Sequence, residues 1–198
     1  MIKNVIFDIG NVLLDFCWKD HIARFGFQGE KADRIAQAMM LGPIWPKLDL
    51  GLESDEDILE QFVAHTPELE QEIRLVFSDL STIVREYEGS VDWIESLKAR
   101  GYRTYYLSNY GERIRREASK ELSFLSHMDG GIMSYTVHLA KPDQAIYQTL
   151  LDRYGLKAEE CVFLDDTVRN VEAAQALGIA GIVVTSQEQA KKELETLL

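Results

Sequence analysis

The sequence predicts an α/β protein: a parallel sheet with helices on both faces, and a block of helices inserted after the first strand. Three observations predict it. Five short β-rich runs are apolar on consecutive positions, as strands covered on both faces are. Helical patterns separate the later runs, and such alternation builds a doubly wound domain. The stretch from residue 16 to residue 82 carries helical segments and no convincing strand.

Taken in order, VIFDIG (5–10) drives an apolar run into Asp8. The inserted block contains SDEDILEQFVAHT, where Ser54 precedes an acidic first turn, as helix starts prefer. SVDWIESLKARG offers Ser90 as N-cap, apolar Val91, Ile94 and Leu97, and Gly101 as a stop. YRTYYLSN (102–109) ends in Ser108 and Asn109, and GGIMSYTV (130–137) leads towards Lys141. The helix DQAIYQTLLDRYG opens after Pro142 and closes at Gly155. CVFLDD (161–166) ends in Asp165 and Asp166, TVRNVEAAQALG closes at Gly178, and AGIVVTS (180–186) is the last strand. The expected division is a core of residues 1–15 and 83–198 and a helical cap of 16–82, placed over the carboxyl edge of the sheet.

With 198 residues, 46% of them hydrophobic, the chain suffices for one domain with a smaller insertion. Its net charge of −12 disfavours nucleic acid and anionic membranes. An anionic substrate would therefore need local cations or backbone N–H groups. Cys17 and Cys161 form no metal-like pair, and a buried free thiol is the expectation for Cys161. The N-terminus runs straight into a strand without a signal-peptide pattern, and no apolar run is long enough to span a bilayer. The expectation is a cytoplasmic protein with reduced thiols and no membrane partner.

In open parallel sheets ligands bind at the carboxyl ends of the strands. The residues ending the runs should converge there: Asp8, Ser108, Asn109, Lys141, Asp165 and Asp166. Three carboxylates close together repel unless a cation sits among them. Oxygen ligands without His or Cys suit a hard metal, and Mg²⁺ is the usual choice beside phosphate. Ser108, Asn109 and Lys141 are suitable donors for phosphate oxygens. A carboxylate nucleophile, a metal and a phosphate cradle together describe phosphoryl transfer.

At these residues the sequence resembles the haloacid dehalogenase superfamily. Its four motifs stand in order: FDIGNVLLD with Asp8, LSN with Ser108, KPDQAIY with Lys141, and FLDDTVRNVEAAQALG with Asp165 and Asp166. The DxGNV start looks most like bacterial sugar-phosphate phosphatases of the alpha-D-glucose-1-phosphate phosphatase-like group. The insertion, with GLESDED at 51–57, resembles the C1-type helical cap. The resemblance implies a three-layer Rossmann-like core and a Mg²⁺-dependent phosphatase acting on a small phosphorylated metabolite. It implies that Asp8 attacks phosphorus and forms an aspartyl-phosphate that water hydrolyses. Asp8, the Gly10 carbonyl and Asp166 would bind Mg²⁺, with Asp165 direct or through water. Ser108 and Lys141 would hold the phosphoryl group, Lys141 would also restrain Asp8, and Asn109 would assist.

The departure is Gly10. Most phosphatases of the superfamily carry a second aspartate there, which protonates the leaving alcohol and then activates water. General acid–base catalysis is worth roughly 10²–10⁴ in rate. Either another group or a water replaces it, or the leaving group needs little help, or the protein binds phosphorylated ligands without turning them over. The first reading is preferred. Asp15 is one candidate substitute, although a turn or surface carboxylate is the commoner fate of such a residue. His138 in TVHLAKP is another, but it is expected to face solvent or the sheet edge. Trp18, Phe25, Phe27 and Trp45 are expected in cap–core packing, His21 and His65 at cap or surface positions, and Arg113 on a solvated helix face. Asn170 should hold Asp166 or Lys141 by hydrogen bonding. A metal-independent C–halogen hydrolase is the enzymatic rival, and no GxxxxGK[ST] loop points to a kinase.

Overall fold

Asn4–Phe7 (β1) is buried along its whole length. Val5 and Phe7 pack into one hydrophobic cluster and Ile6 into a second. That split is what alternating side chains produce when helices cover both faces of a sheet. The computed structural model describes residues 1–198. After β1 come Leu14–Phe16 (β2) and five helices, Trp18–Arg24 (α1), Gly29–Ala38 (α2), Trp45–Leu50 (α3), Asp55–His65 (α4) and Glu70–Phe77 (α5). The chain then returns through Val84–Glu86 (β3) and Ser90–Ala99 (α6). Arg103–Ser108 (β4), Glu112–Glu117 (α7), Gly130–Met133 (β5) and Gln144–Tyr154 (α8) follow. Cys161–Asp165 (β6), Val168–Ala176 (α9), Ala180–Val183 (β7) and Gln187–Glu195 (α10) complete it.

The main sheet has the order β5-β4-β1-β6-β7 and is parallel throughout. The first strand is therefore central: the chain runs outward from it through β4 to β5, then crosses back to β6 on its other side and on to β7. That reversal opens a crevice at the carboxyl ends, where ligands of such sheets sit. The α/β class with its helical insertion is as the sequence predicts.

Three local expectations differ, and His21 meets the cap alternative of its expectation but is buried there. The run 130–137 pairs only through Met133, after which Ser134–Thr136 forms a 3₁₀ turn. Ser90 does not cap its helix: Gly89, in the left-handed region at φ 84°, precedes it, and the buried Ser90 hydroxyl donates to the Leu13 carbonyl. His21 is fully buried, its Nδ1 2.9 Å from Thr82 Oγ1 and its Nε2 3.2 Å from the Val76 carbonyl. Finally, β2 and β3 form an antiparallel ribbon, Leu14 opposite Glu86 and Phe16 opposite Val84, at the two ends of the helical insertion. Three-residue strands are too short to show a period in sequence.

Ser54 does cap α4, its hydroxyl accepting from the Asp57 N–H. Cys17 and Cys161 are free and buried, and burial pushes both thiols up to about 11, so neither is primed for reaction.

Candidate active site

Asp8 leaves β1 with its backbone N–H still donating to the Leu164 carbonyl, so the side chain is held at the sheet's edge. The chain then tightens into a turn in which the Leu13 and Leu14 N–H groups both donate to the Ile9 carbonyl. Asn11 takes φ 55° in this turn, a conformation that asparagine tolerates better than most residues. Its side-chain amide donates to Asp166 Oδ2 at 2.8 Å and so ties the first turn to the end of β6. The Ile9 N–H donates to Asp8 Oδ1 at 2.7 Å.

Lys141 lies between two carboxylates. Its Nζ is 2.8 Å from Asp8 Oδ1 and 2.7 Å from Asp165 Oδ2, with the ammonium 1% exposed. Burial works against that charge, but Asp8 and Asp165 more than offset it and hold the lysine pKa above its ordinary value. Burial acts on Asp8 in the opposite sense and raises its pKa, opposed by Lys141 and reinforced by Asp165. One ammonium balances only one of the two carboxylates when both are ionised.

Asp165 is fully buried, and both its oxygens are engaged. Besides Lys141, it accepts from the Thr167 N–H at 2.7 Å and from Asn170 Nδ2 at 3.1 Å to each oxygen. Asn170 thus holds Asp165 rather than the expected Asp166 or Lys141. Ser108, 2% exposed at the end of β4, lines the same cavity as Asp8. Asn109 also lines it, but its carboxamide is occupied: Nδ2 donates to the Lys141 carbonyl at 3.0 Å, and Oδ1 accepts from the Lys141 N–H at 2.8 Å. The side chain of Asn109 therefore positions Lys141.

Carboxylate oxygens of Asp8, Asp165 and Asp166 lie within 4.8 Å of one another. Three hard oxygen donors with no His or Cys fit Mg²⁺. Asp8 and Asp166 line the cavity and Asp165 does not, so Asp8 and Asp166 are the more accessible ligands.

The cavity above these groups has a volume of about 220 Å³ and is walled by Leu14, Phe16, Trp45, Val84, Tyr110 and Ile114. The ribbon thus supplies Leu14 and Phe16, while the intervening Asp15 points away and accepts from the Cys17 thiol at 3.2 Å. Asp15 is therefore no substitute for an acid at position 10. His138 is exposed, with Nδ1 2.9 Å from the Leu50 carbonyl. Arg113 turns from the crevice, donating to Glu117 and to the Phe77 carbonyl, both at 2.7 Å. Of the four cap aromatics, Trp45 lines the cavity, and Trp18, Phe25 and Phe27 pack against the main hydrophobic cluster.

Among the cavity residues that the sequence reading does not single out, Asn11 and Asp49 carry polar chemistry. Asn11 stands inside the first motif and could have been found there. Asp49, at the end of α3, also lines the cavity. Burial, then the charge of Asp8, pushes its pKa up to about 7 against the pull of Lys141. No spacing in the sequence connects it to the crevice.

A model of the haloacid dehalogenase-like hydrolases matches residues 2–178. The chain belongs to this family. As a haloacid dehalogenase-like hydrolase it is 25% identical, over 99% of its length, to a sesquiterpene phosphatase of Aspergillus oryzae and covers 96% of that protein. It is 31% identical, over 99% of its length, to mouse acyl-CoA dehydrogenase family member 10, of which it spans only 19%. A HAD family enzyme of Bacteroides thetaiotaomicron, solved in complex with magnesium and inorganic phosphate, matches with a TM-score of 0.72. The match covers 94% of this chain and 96% of that one at 22% identity, a likeness of fold. No helix is long and apolar enough to cross a membrane.

Proposed function

We propose that this hydrolase is a Mg²⁺-dependent phosphatase of small phosphorylated metabolites, with sugar phosphates as the first class to test. The observation that carries the reading is that Asp8, at the floor of a small cavity with Asp166 beside it, is backed by the buried Lys141–Asp165 pair. Lys141 fixes Asp8 with one oxygen available for in-line attack and presents positive charge where a phosphoryl group would bind. An Asp8 oxygen attacks phosphorus, the ester oxygen departs, and water then cleaves the aspartyl-phosphate to restore the carboxylate. Ser108 and Lys141 hold the phosphoryl oxygens, and Asn109 keeps Lys141 in place. Asp8, Asp166 and the Gly10 carbonyl would hold Mg²⁺, with Asp165 supporting Lys141. The cation supplies neutralisation of charge on the transferring group. The walls contributed by Trp45 and Phe16 limit the leaving group to a compact organic moiety and shed water around it.

A phosphatase named for a terpene product among the relatives makes prenyl and aryl phosphates the second class to include. The test is phosphate release from sugar, prenyl and aryl phosphates, with Mg²⁺ and with chelator. Metal-dependent release is the expected result. Chelator-insensitive hydrolysis of 2-haloacids without phosphate release would favour the C–halogen rival. Ligand binding without turnover would favour a sensor.

A further inference from the structure

We propose that Asp49, delivered by the helical insertion, is the proton-transfer residue that position 10 does not provide. The inference rests on the phosphatase reading and adds a catalytic residue to it.

Asp49 comes from α3, yet it lines the same cavity as Asp8, Gly10 and Ser108. Its place there is built. The last carbonyls of a helix have no partner within it. Here two successive ones are taken up by the core: the Asp49 carbonyl accepts from the buried Ser134 hydroxyl, and the Leu50 carbonyl lies 2.9 Å from His138 Nδ1. Gly51 then turns the chain at φ 63°, so close to Tyr135 that an added Cβ would sit 2.9 Å from its Cβ. A larger residue would push the helix end off the core, and the carboxylate would move with it. The insertion is thus latched to the segment 134–138 at the point where it presents Asp49.

Position 10 is empty by sequence and not by crowding. A Cβ built on Gly10 meets no atom within 4 Å. The space an acid would fill beside Asp8 is open, and Asp49 is the carboxylate that the insertion brings to the cavity. Asp49 is half-buried, and burial pushes its pKa upward, the direction that suits a residue that gives and then takes a proton.

The chemistry balances. As the bond from Asp8 to phosphorus forms and the ester P–O bond breaks, the departing oxygen takes the Asp49 proton. The Asp49 carboxylate then accepts a proton from the water that attacks the aspartyl-phosphate. Inorganic phosphate leaves, Asp8 regains its carboxylate and Asp49 its proton.

The test compares wild type, Asp49→Asn and Asp49→Asn combined with Gly10→Asp, all with Mg²⁺, on alkyl phosphates and on p-nitrophenyl phosphate. In Asp49→Asn, kcat on alkyl phosphates should fall by roughly 10²–10⁴-fold. The p-nitrophenyl ester, whose leaving group needs no proton, should instead give a burst of one equivalent of nitrophenol followed by slow turnover. Adding Gly10→Asp should recover alkyl-phosphate turnover. A loss of equal size on all esters with no burst would overturn the proposal and mark Asp49 as structural. A rise in KM at unchanged kcat would overturn it and mark Asp49 as a substrate-binding group. Wild type releasing no phosphate from any ester would overturn the phosphatase reading itself, and this proposal with it.

Discussion

The sheet core and the helical insertion contribute to one cavity by different means. The core brings Asp8, Ser108, Lys141, Asp165 and Asp166 to a crevice simply by ending parallel strands, or the turns after them, on the same side. Its groups are buried and interlocked. The insertion brings walls, Trp45 above all, and a single carboxylate, on a helix end whose Asp49 and Leu50 backbone carbonyls are hydrogen-bonded to the core. In the proposed reaction the core supplies the nucleophile, and the insertion supplies the proton through its docking geometry. Damage to the core should abolish chemistry, whereas damage to the latch should weaken it in steps.

The largest effect should come from Asp8→Asn, which lowers phosphate release by at least about 10⁴-fold, the scale on which loss of a nucleophile acts. Circular dichroism should show the variant folded. Lys141→Met should come next. It leaves Asp8 and Asp165 buried without their counter-charge, so urea unfolding should show a loss of about 3–5 kcal/mol alongside lost activity. A stable, active Lys141→Met would break the view that the triad ties the core together.

On the latch, Ser134→Ala removes the acceptor of the Tyr110 N–H and the donor to Asp49, both buried or nearly so. It should cost about 1–3 kcal/mol and lower kcat on alkyl phosphates more than on p-nitrophenyl phosphate. The insertion also has its own pH sensitivity. Burial lowers the His21 pKa below its ordinary 6.5. Between the two values the unfolded chain binds more protons, so stability rises with pH. The contribution is full above pH 6.5 and is lost as pH falls through the folded pKa. Melting temperature should therefore drop on acidification below neutrality, and less so in His21→Gln. The smallest effect belongs to His138→Ala. Its bond to Leu50 is exposed, so stability should change by less than about 1 kcal/mol and turnover should stay nearly as it was.

The same contrast explains what could be read in the sequence. β1 and β6 are continuous apolar runs ending in aspartate, so both the strands and their chemistry show in the residue pattern. Ser108 and Lys141 follow because each stands at or after a strand end. The ribbon of β2 and β3 was hidden, since three residues carry no period, and the wall it builds was hidden with it. Ser90 has the composition of a cap but is drawn inward to the Leu13 carbonyl, a tertiary partner no local pattern contains. His21 is in the cap, one of its two expected places, but its burial does not show in the sequence because its partners, Thr82 and Val76, lie more than fifty residues away. Asp49 was invisible for the same reason: only the docking of α3 on Ser134 and His138 makes it a neighbour of Asp8's cavity.

The measurement that tests the central claim most directly is the mass of the protein acid-quenched during turnover of an aryl phosphate with Mg²⁺. The account requires one phosphoryl group on the peptide containing Asp8, absent in Asp8→Asn. Phosphate release with no phosphoryl group ever found on Asp8 would contradict it.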